Sequence, residues 1–139
     1  MTVTVAKTAG FCYGVKRAVE LAQQAAWDGK PCVMLGPIIH NAHVVDALAE
    51  QGIGCVSSPE EVPAGSRVII RSHGETRQVL ERLEAMGARC VNATCPNVLH
   101  IQHIVSRAGQ AGRNPLVIGE PHHPEVMGAA SWWDGTLVF

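Results

Sequence analysis

The sequence predicts an α/β fold, a mostly parallel sheet with flanking helices, and three observations predict it. Short β-branched runs alternate with segments of helical periodicity along the chain, the pattern of successive βα units. The strand candidates are continuous apolar runs such as Val68-Ile69-Ile70, as expected where helices cover both faces of a sheet. The reactive side chains fall just after such runs and at the start of the next helix.

Taken in order, Thr2-Val3-Thr4-Val5 is a predicted strand. After Gly10 to Gly14, apolar residues at Val15, Ala18, Val19 and Ala22 keep helical spacing, with Gly29 as a stop. Cys32-Val33-Met34-Leu35 is the next strand, and Val44, Val45 and Leu48 mark a second helix ending near Gly52. A short apolar run, Ile53 to Val56, leads into a loop from Ser57 to Ser66. Val68-Ile69-Ile70 is a buried strand. Val79, Leu80, Leu83 and Met86 form a helix face closed by Gly87. Cys90-Val91 is a brief strand. Val98, Ile101, Val105 and Ala108 mark a further helix, Leu116-Val117-Ile118 a strand, and Val126 to Trp132 a short helix. The apolar run Leu137-Val138-Phe139 begins another strand, which suggests a chain cut short. Residues 1–96 are expected to form one α/β lobe and residues 97–139 the beginning of a second. A loose internal repeat supports this series: three strands lead to a histidine and a helix, two to a cysteine and a helix.

Composition narrows the class. The chain has 139 residues, 47% of them hydrophobic and 17% charged, which is globular rather than disordered. Its formal net charge is -1 with no basic run, so charge gives no reason to propose a nucleic-acid or membrane partner. No segment reaches the roughly 18 apolar residues of a membrane span, and none resembles a secretory signal. The five cysteines are odd in number and lack C-x-x-C spacing, which argues for a cytoplasmic protein without a disulfide framework.

In a parallel sheet the strand–helix junctions share one edge, where ligand sites form. Helix N-termini there present free N–H groups to anions. Cys32, Cys55 and Cys90 lie inside strand candidates and are read as small buried hydrophobes. Cys12, in Gly10-Phe11-Cys12-Tyr13-Gly14, and Cys95, in Ala93-Thr94-Cys95-Pro96, stand at helix starts, a setting for a nucleophile or a metal ligand. His40 in Ile39-His40-Asn41 and His73 in Ser72-His73-Gly74 suit an anion or a metal, or serve as ordinary loop residues. In Gly119-Glu120-Pro121-His122-His123-Pro124-Glu125, two prolines fix where His123 and Glu125 point. A carboxylic acid beside histidines is a natural proton donor, or simply a helix N-terminal Glu. His43, His100, His103 and His122 are read as surface residues, and Trp132 and Trp133 as packing residues.

Taken together, Gly10-Phe11-Cys12-Tyr13-Gly14-Val15, Ile39-His40-Asn41, Ser72-His73-Gly74, Ala93-Thr94-Cys95-Pro96 and His123-Pro124-Glu125-Val126 resemble the 4-hydroxy-3-methylbut-2-enyl diphosphate reductase family, the LytB-type iron–sulfur enzymes. The resemblance spans essentially the whole chain but less than half of a typical family member. It implies a three-lobed, pseudo-symmetric protein around a 4Fe-4S cluster, with one cysteine from each lobe. Cys12 and Cys95 match two cluster ligands, and the third lies beyond Phe139. His40, His73 and His123 match residues that hold the substrate diphosphate, and Glu125 the acid that supplies protons. The implied reaction is reductive dehydroxylation of an allylic diphosphate to isopentenyl and dimethylallyl diphosphate, the last step of the methylerythritol phosphate route. Ferredoxin or flavodoxin is the implied electron donor. Three thiolates leave one iron without a protein ligand, open to the allylic hydroxyl.

Two other readings stay open on the residues alone. One is a zinc hydrolase using His73, His123 and Glu125, which leaves Cys12 and Cys95 without a purpose. The other is a folded piece without activity of its own. Quinolinate synthase has a comparable three-lobed architecture, but the motifs of this sequence are not its motifs.

Overall fold

A computed structural model describes residues 1–139. The chain runs α1 (Tyr13–Ala26), β1 (Cys32–Leu35), α2 (Ala42–Glu50), β2 (Ile53–Val56), β3 (Arg67–Ile70), α3 (Arg77–Ala85), β4 (Arg89–Asn92), α4 (Pro96–Gln110), β5 (Leu116–Val117), α5 (Pro124–Ala130) and β6 (Leu137–Val138). A single turn of 3-10 helix, Pro59–Glu61, interrupts the loop between β2 and β3.

Strands β1 to β4 form one parallel sheet in the order β2-β1-β3-β4. Its side chains alternate between two cores, as period-two geometry requires. On one face Cys32, Met34, Ile53 and Ile69 meet Ala18, Ala22 and Ala25 of α1 and Leu48 of α2. The small alanines let α1 lie close to the strands. On the other face Val33, Leu35, Val68 and Ile70 meet Leu83 of α3. Burying a side chain such as Leu83 contributes about 1.5–3 kcal/mol. Helices α2 and α3 thus leave neighbouring strands, β1 and β3, for opposite faces, and a crevice opens between the two strand ends.

The remaining strands form a separate two-stranded parallel sheet, Leu116 opposite Leu137 and Val117 opposite Val138. Helix α4 packs against α5. Trp133 lies across α4 at Gly109, where any Cβ would collide with the indole. No helix is long and apolar enough to cross a membrane.

Three expectations need correction. The predicted strand Thr2–Val5 does not form, and Val3 and Val5 are exposed. Its residues favour extended backbone, but no strand lies alongside to pair with it. Cys55 and Cys90 are exposed rather than buried. They sit on β2 and β4, the outer strands of the sheet, whereas Cys32 on inner β1 is buried. The last helix starts at Pro124, two residues before its predicted beginning, because His123 caps it.

Candidate functional site

The crevice between β1 and β3 is where His40 and His73 stand. The chain leaves β1 through Gly36, at φ +69°, and buries Ile38 and Ile39 before exposing His40. Asn41 then caps α2, its Oδ1 accepting from the Val44 N–H at 3.3 Å. After β3 the loop is pinned to the first one: the Ser72 N–H donates to the Ile38 carbonyl at 3.1 Å. That bond brings the two imidazoles together, with ring centroids 4.3 Å apart and 34° between planes. His123 completes a triangle at 6.2 Å from His40 and 6.0 Å from His73.

Electrostatics differ around the triangle. Burial, then the charges of His40, Arg71 and His123, push the His73 imidazole down to about 4. It is therefore neutral near pH 7, and its Nδ1 is buried without a partner. Arg71 is held by Glu75, Nη2 to Oε1 at 2.7 Å, so its charge stays fixed beside the loop. His123 accepts the Glu125 N–H on Nδ1 at 3.2 Å. In the neutral ring the proton then belongs on Nε2. Glu125 is half-buried and lines a cavity of about 200 Å³ with Val98, Ile101, Val117, Ile118, His123, Val126 and Ala129.

The cysteines stand on the neighbouring helix starts. Cys12 is the N-cap of α1 and Cys95 the N-cap of α4, and neither side chain bonds its own helix. Both thiols are thereby left for another partner; Cys12 is exposed and Cys95 half-buried. The Cys95 N–H donates to the Ser72 carbonyl at 2.8 Å, which sets Cys95 next to the His73 loop. Arg17 of α1 reaches the Thr94 carbonyl at 3.1 Å and ties the two cysteine-bearing segments. A Cβ on Gly14 would stand 2.6 Å from Cys95 Sγ, so the sulfur rests on the bare first turn of α1. Tyr13 lies beside both thiols. Desolvation first, then the charges of Cys95 and Cys12, raise its phenol above the usual value.

Two soft, free thiols at helix starts suit two ligand positions of an iron–sulfur cluster. No third cysteine occupies a helix start: Cys32, Cys55 and Cys90 all lie within strands. No group of three or more His, Cys, Asp or Glu side chains is arranged to hold a single metal ion. His73, His123 and Glu125 thus give the zinc reading no support. Arg71, Arg17, Tyr13, Gly14 and Asn97 shape the site but were not among the sequence candidates. Tyr13 and Gly14 had a signal in the Cys12 motif and Arg71 in its place just before Ser72-His73-Gly74, whereas Arg17 and Asn97 had none.

Fold and site together define an α/β protein with three clustered histidines beside a sheet switch point and two cysteines on adjoining helix starts. The LytB protein family model matches residues 3–139, and the chain belongs to that family. It is 41% identical over 133 residues to a 4-hydroxy-3-methylbut-2-enyl diphosphate reductase of Anaeromyxobacter sp. (strain K), covering 95% of this chain and 48% of the relative. It is 44% identical over 137 residues to the enzyme of that name in Citrifermentans bemidjiense, covering 99% and 48%. Among solved structures, the E-1-hydroxy-2-methyl-but-2-enyl-4-diphosphate reductase of Plasmodium falciparum superposes with a TM-score of 0.90 at 27% identity, over 96% of this chain and 42% of that one. A second, described as an (E)-4-hydroxy-3-methyl-but-2-enyl diphosphate reductase and terminal enzyme of the non-mevalonate pathway, gives 0.84 at 37% identity, over 98% and 50%. The chain spans about half the length of the curated relatives it matches.

Proposed function

We propose that this chain supplies the N-terminal half of a 4-hydroxy-3-methylbut-2-enyl diphosphate reductase, which removes the allylic hydroxyl to give isopentenyl and dimethylallyl diphosphate. The observation that carries the reading is the triangle of His40, His73 and His123, with centroids no more than 6.2 Å apart, beside two helix-capping cysteines. Three imidazoles at the carboxyl ends of parallel strands suit the oxygens of a diphosphate. The orphaned Nδ1 of His73 supports this, because a buried ring nitrogen without a partner favours a ligand that supplies one. Cys12 and Cys95 would hold two irons of a 4Fe-4S cluster, the third cysteine coming from the rest of the protein. When bound, the cluster would pass on the two electrons of the reduction one at a time from the electron donor.

This chain's own residues account for the remainder. His40, His73 and His123 hold the diphosphate and so fix the hydroxyl end of the substrate. From its place in the partly apolar cavity Glu125 delivers one proton to the departing oxygen, which leaves as water, and, once reprotonated from solvent, the second proton to the allyl carbon. Val98, Ile101 and Ile118 give that cavity apolar walls. Residues 1–96 constitute the first lobe and residues 97–139 open the second. A ferredoxin or flavodoxin is the electron donor, in the cytoplasm.

The test joins this chain to the C-terminal half of the Anaeromyxobacter reductase and purifies the joined protein without oxygen. Four irons and four sulfides per chain, with conversion of the allylic diphosphate by a reduced donor, are expected. A joined protein that holds zinc, or holds the cluster but leaves the substrate intact, would overturn the reading. The 139-residue chain alone is expected to retain no stable cluster.

A further inference from the structure

The helices that begin at the two cysteines are tied together one step further in. Tyr13 is the first residue of α1, next to Cys12, and Asn97 is the second residue of α4, two past Cys95. The Tyr13 hydroxyl donates to Asn97 Oδ1 at 2.8 Å, joining positions 84 apart. One residue on, Gly14 is buried and carries the Cys95 sulfur against its backbone. The phenol therefore stands beside a sulfur whose seat is already fixed. A phenol has one proton to give. Asn97 takes it here; the Cys95 sulfur, seated against Gly14 one residue along, is the other acceptor on this side of the helix start.

We infer that Tyr13 and Asn97 are a positioning pair, which locks the two cysteine-bearing helix starts together and keeps the Tyr13 hydroxyl proton off the Cys95 sulfur. The second half rests on the proposed cluster; the first does not. A hydrogen bond to a ligand sulfur favours the more negatively charged, reduced form of a cluster and so raises its potential. Removing Asn97 frees the hydroxyl to turn to the sulfur. Removing the hydroxyl leaves nothing to turn.

Both halves are tested with Tyr13→Phe, Asn97→Ala and the double variant. In the joined, cluster-loaded protein, a dye-equilibrated titration should give a more positive potential for Asn97→Ala. The double variant should return to the value of Tyr13→Phe, close to wild type. An unchanged potential in Asn97→Ala, or the same positive shift in the double variant, overturns the hydrogen-bond role, since simple loosening does not depend on the hydroxyl. In the 139-residue chain without cluster, alkylation of Cys95 by iodoacetamide, read by peptide mass, should quicken several-fold in either single variant and no further in the double. Unchanged alkylation in both would overturn the lock. A joined wild-type protein without iron would instead count against the functional reading, and the alkylation series would still decide the lock.

Discussion

His40 and His73 face each other with ring centroids 4.3 Å apart, although β1 and β3 carry them from separate stretches of chain. The contact exists because the Ser72 N–H binds the Ile38 carbonyl, so each histidine is two positions or fewer from a shared backbone bond. Two imidazoles so close repel when both are protonated. That repulsion, added to burial, accounts for the neutral state of His73.

Acid should therefore weaken the fold. The unfolded His73 takes a proton near pH 6.5, whereas the folded one resists until about 4. Stability is full above pH 6.5 and is lost as pH falls through that window, because the unfolded state binds the extra proton. With solvent screening the loss is about 1–2 kcal/mol. Urea unfolding at pH 7 and pH 4.5 should show it, and His73→Asn should show a smaller fall between the two. Inorganic pyrophosphate should oppose the loss if the triangle binds anions.

Glu125→Gln, in the joined protein, should keep iron and diphosphate binding and lose turnover. Gln keeps the shape and hydrogen bonding but has no proton to deliver, and such groups typically contribute roughly 100- to 10,000-fold. Wild-type turnover in this variant would move the proton donor elsewhere.

Gly14→Ala sets two effects against each other. Alanine favours a helix over glycine by roughly 1 kcal/mol. Its Cβ, however, would enter the space 2.6 Å from Cys95 Sγ, and rotation of the sulfur is the easiest escape. Thermal stability should change little while iron per joined protein falls. Equal iron content would mean that the sulfur does not need that seat.

Gly109→Ala should destabilise the 139-residue chain without touching the cysteines. The new methyl collides with the Trp133 indole, a rigid side chain that must leave its place on α4. Overpacking of this kind costs typically about 1–3 kcal/mol. A lowered urea midpoint with unchanged Cys95 alkylation is the expected pair of results.

The βα alternation is legible because apolar periodicity is local, and α1 to α4 begin and end close to where glycines and capping residues place them. The position of each candidate at a strand–helix junction is legible for the same reason. Strand order is not. Nothing in Ile53 to Val56 or Cys90-Val91 says that these are the outer strands, so the exposure of Cys55 and Cys90 escapes the sequence. Thr2 to Val5 misleads in the opposite way, since β propensity says nothing about whether a partner strand is present. Tyr13 and Asn97, 84 positions apart, meet only through the fold.

The distance along the chain between Cys12 and Cys95 also governs when the site can exist. Cys95 reaches the first turn of α1 only after β4 has joined β3, the far edge of an all-parallel sheet. Parallel pairings close long loops and form slowly compared with local helices. During synthesis the Cys12 thiol emerges first, well before Cys95 has been made. Iron and sulfide offered early would meet only one of the two helix-start thiols. On the proposed function, loading of a cluster would therefore have to wait for the sheet edge that β4 completes.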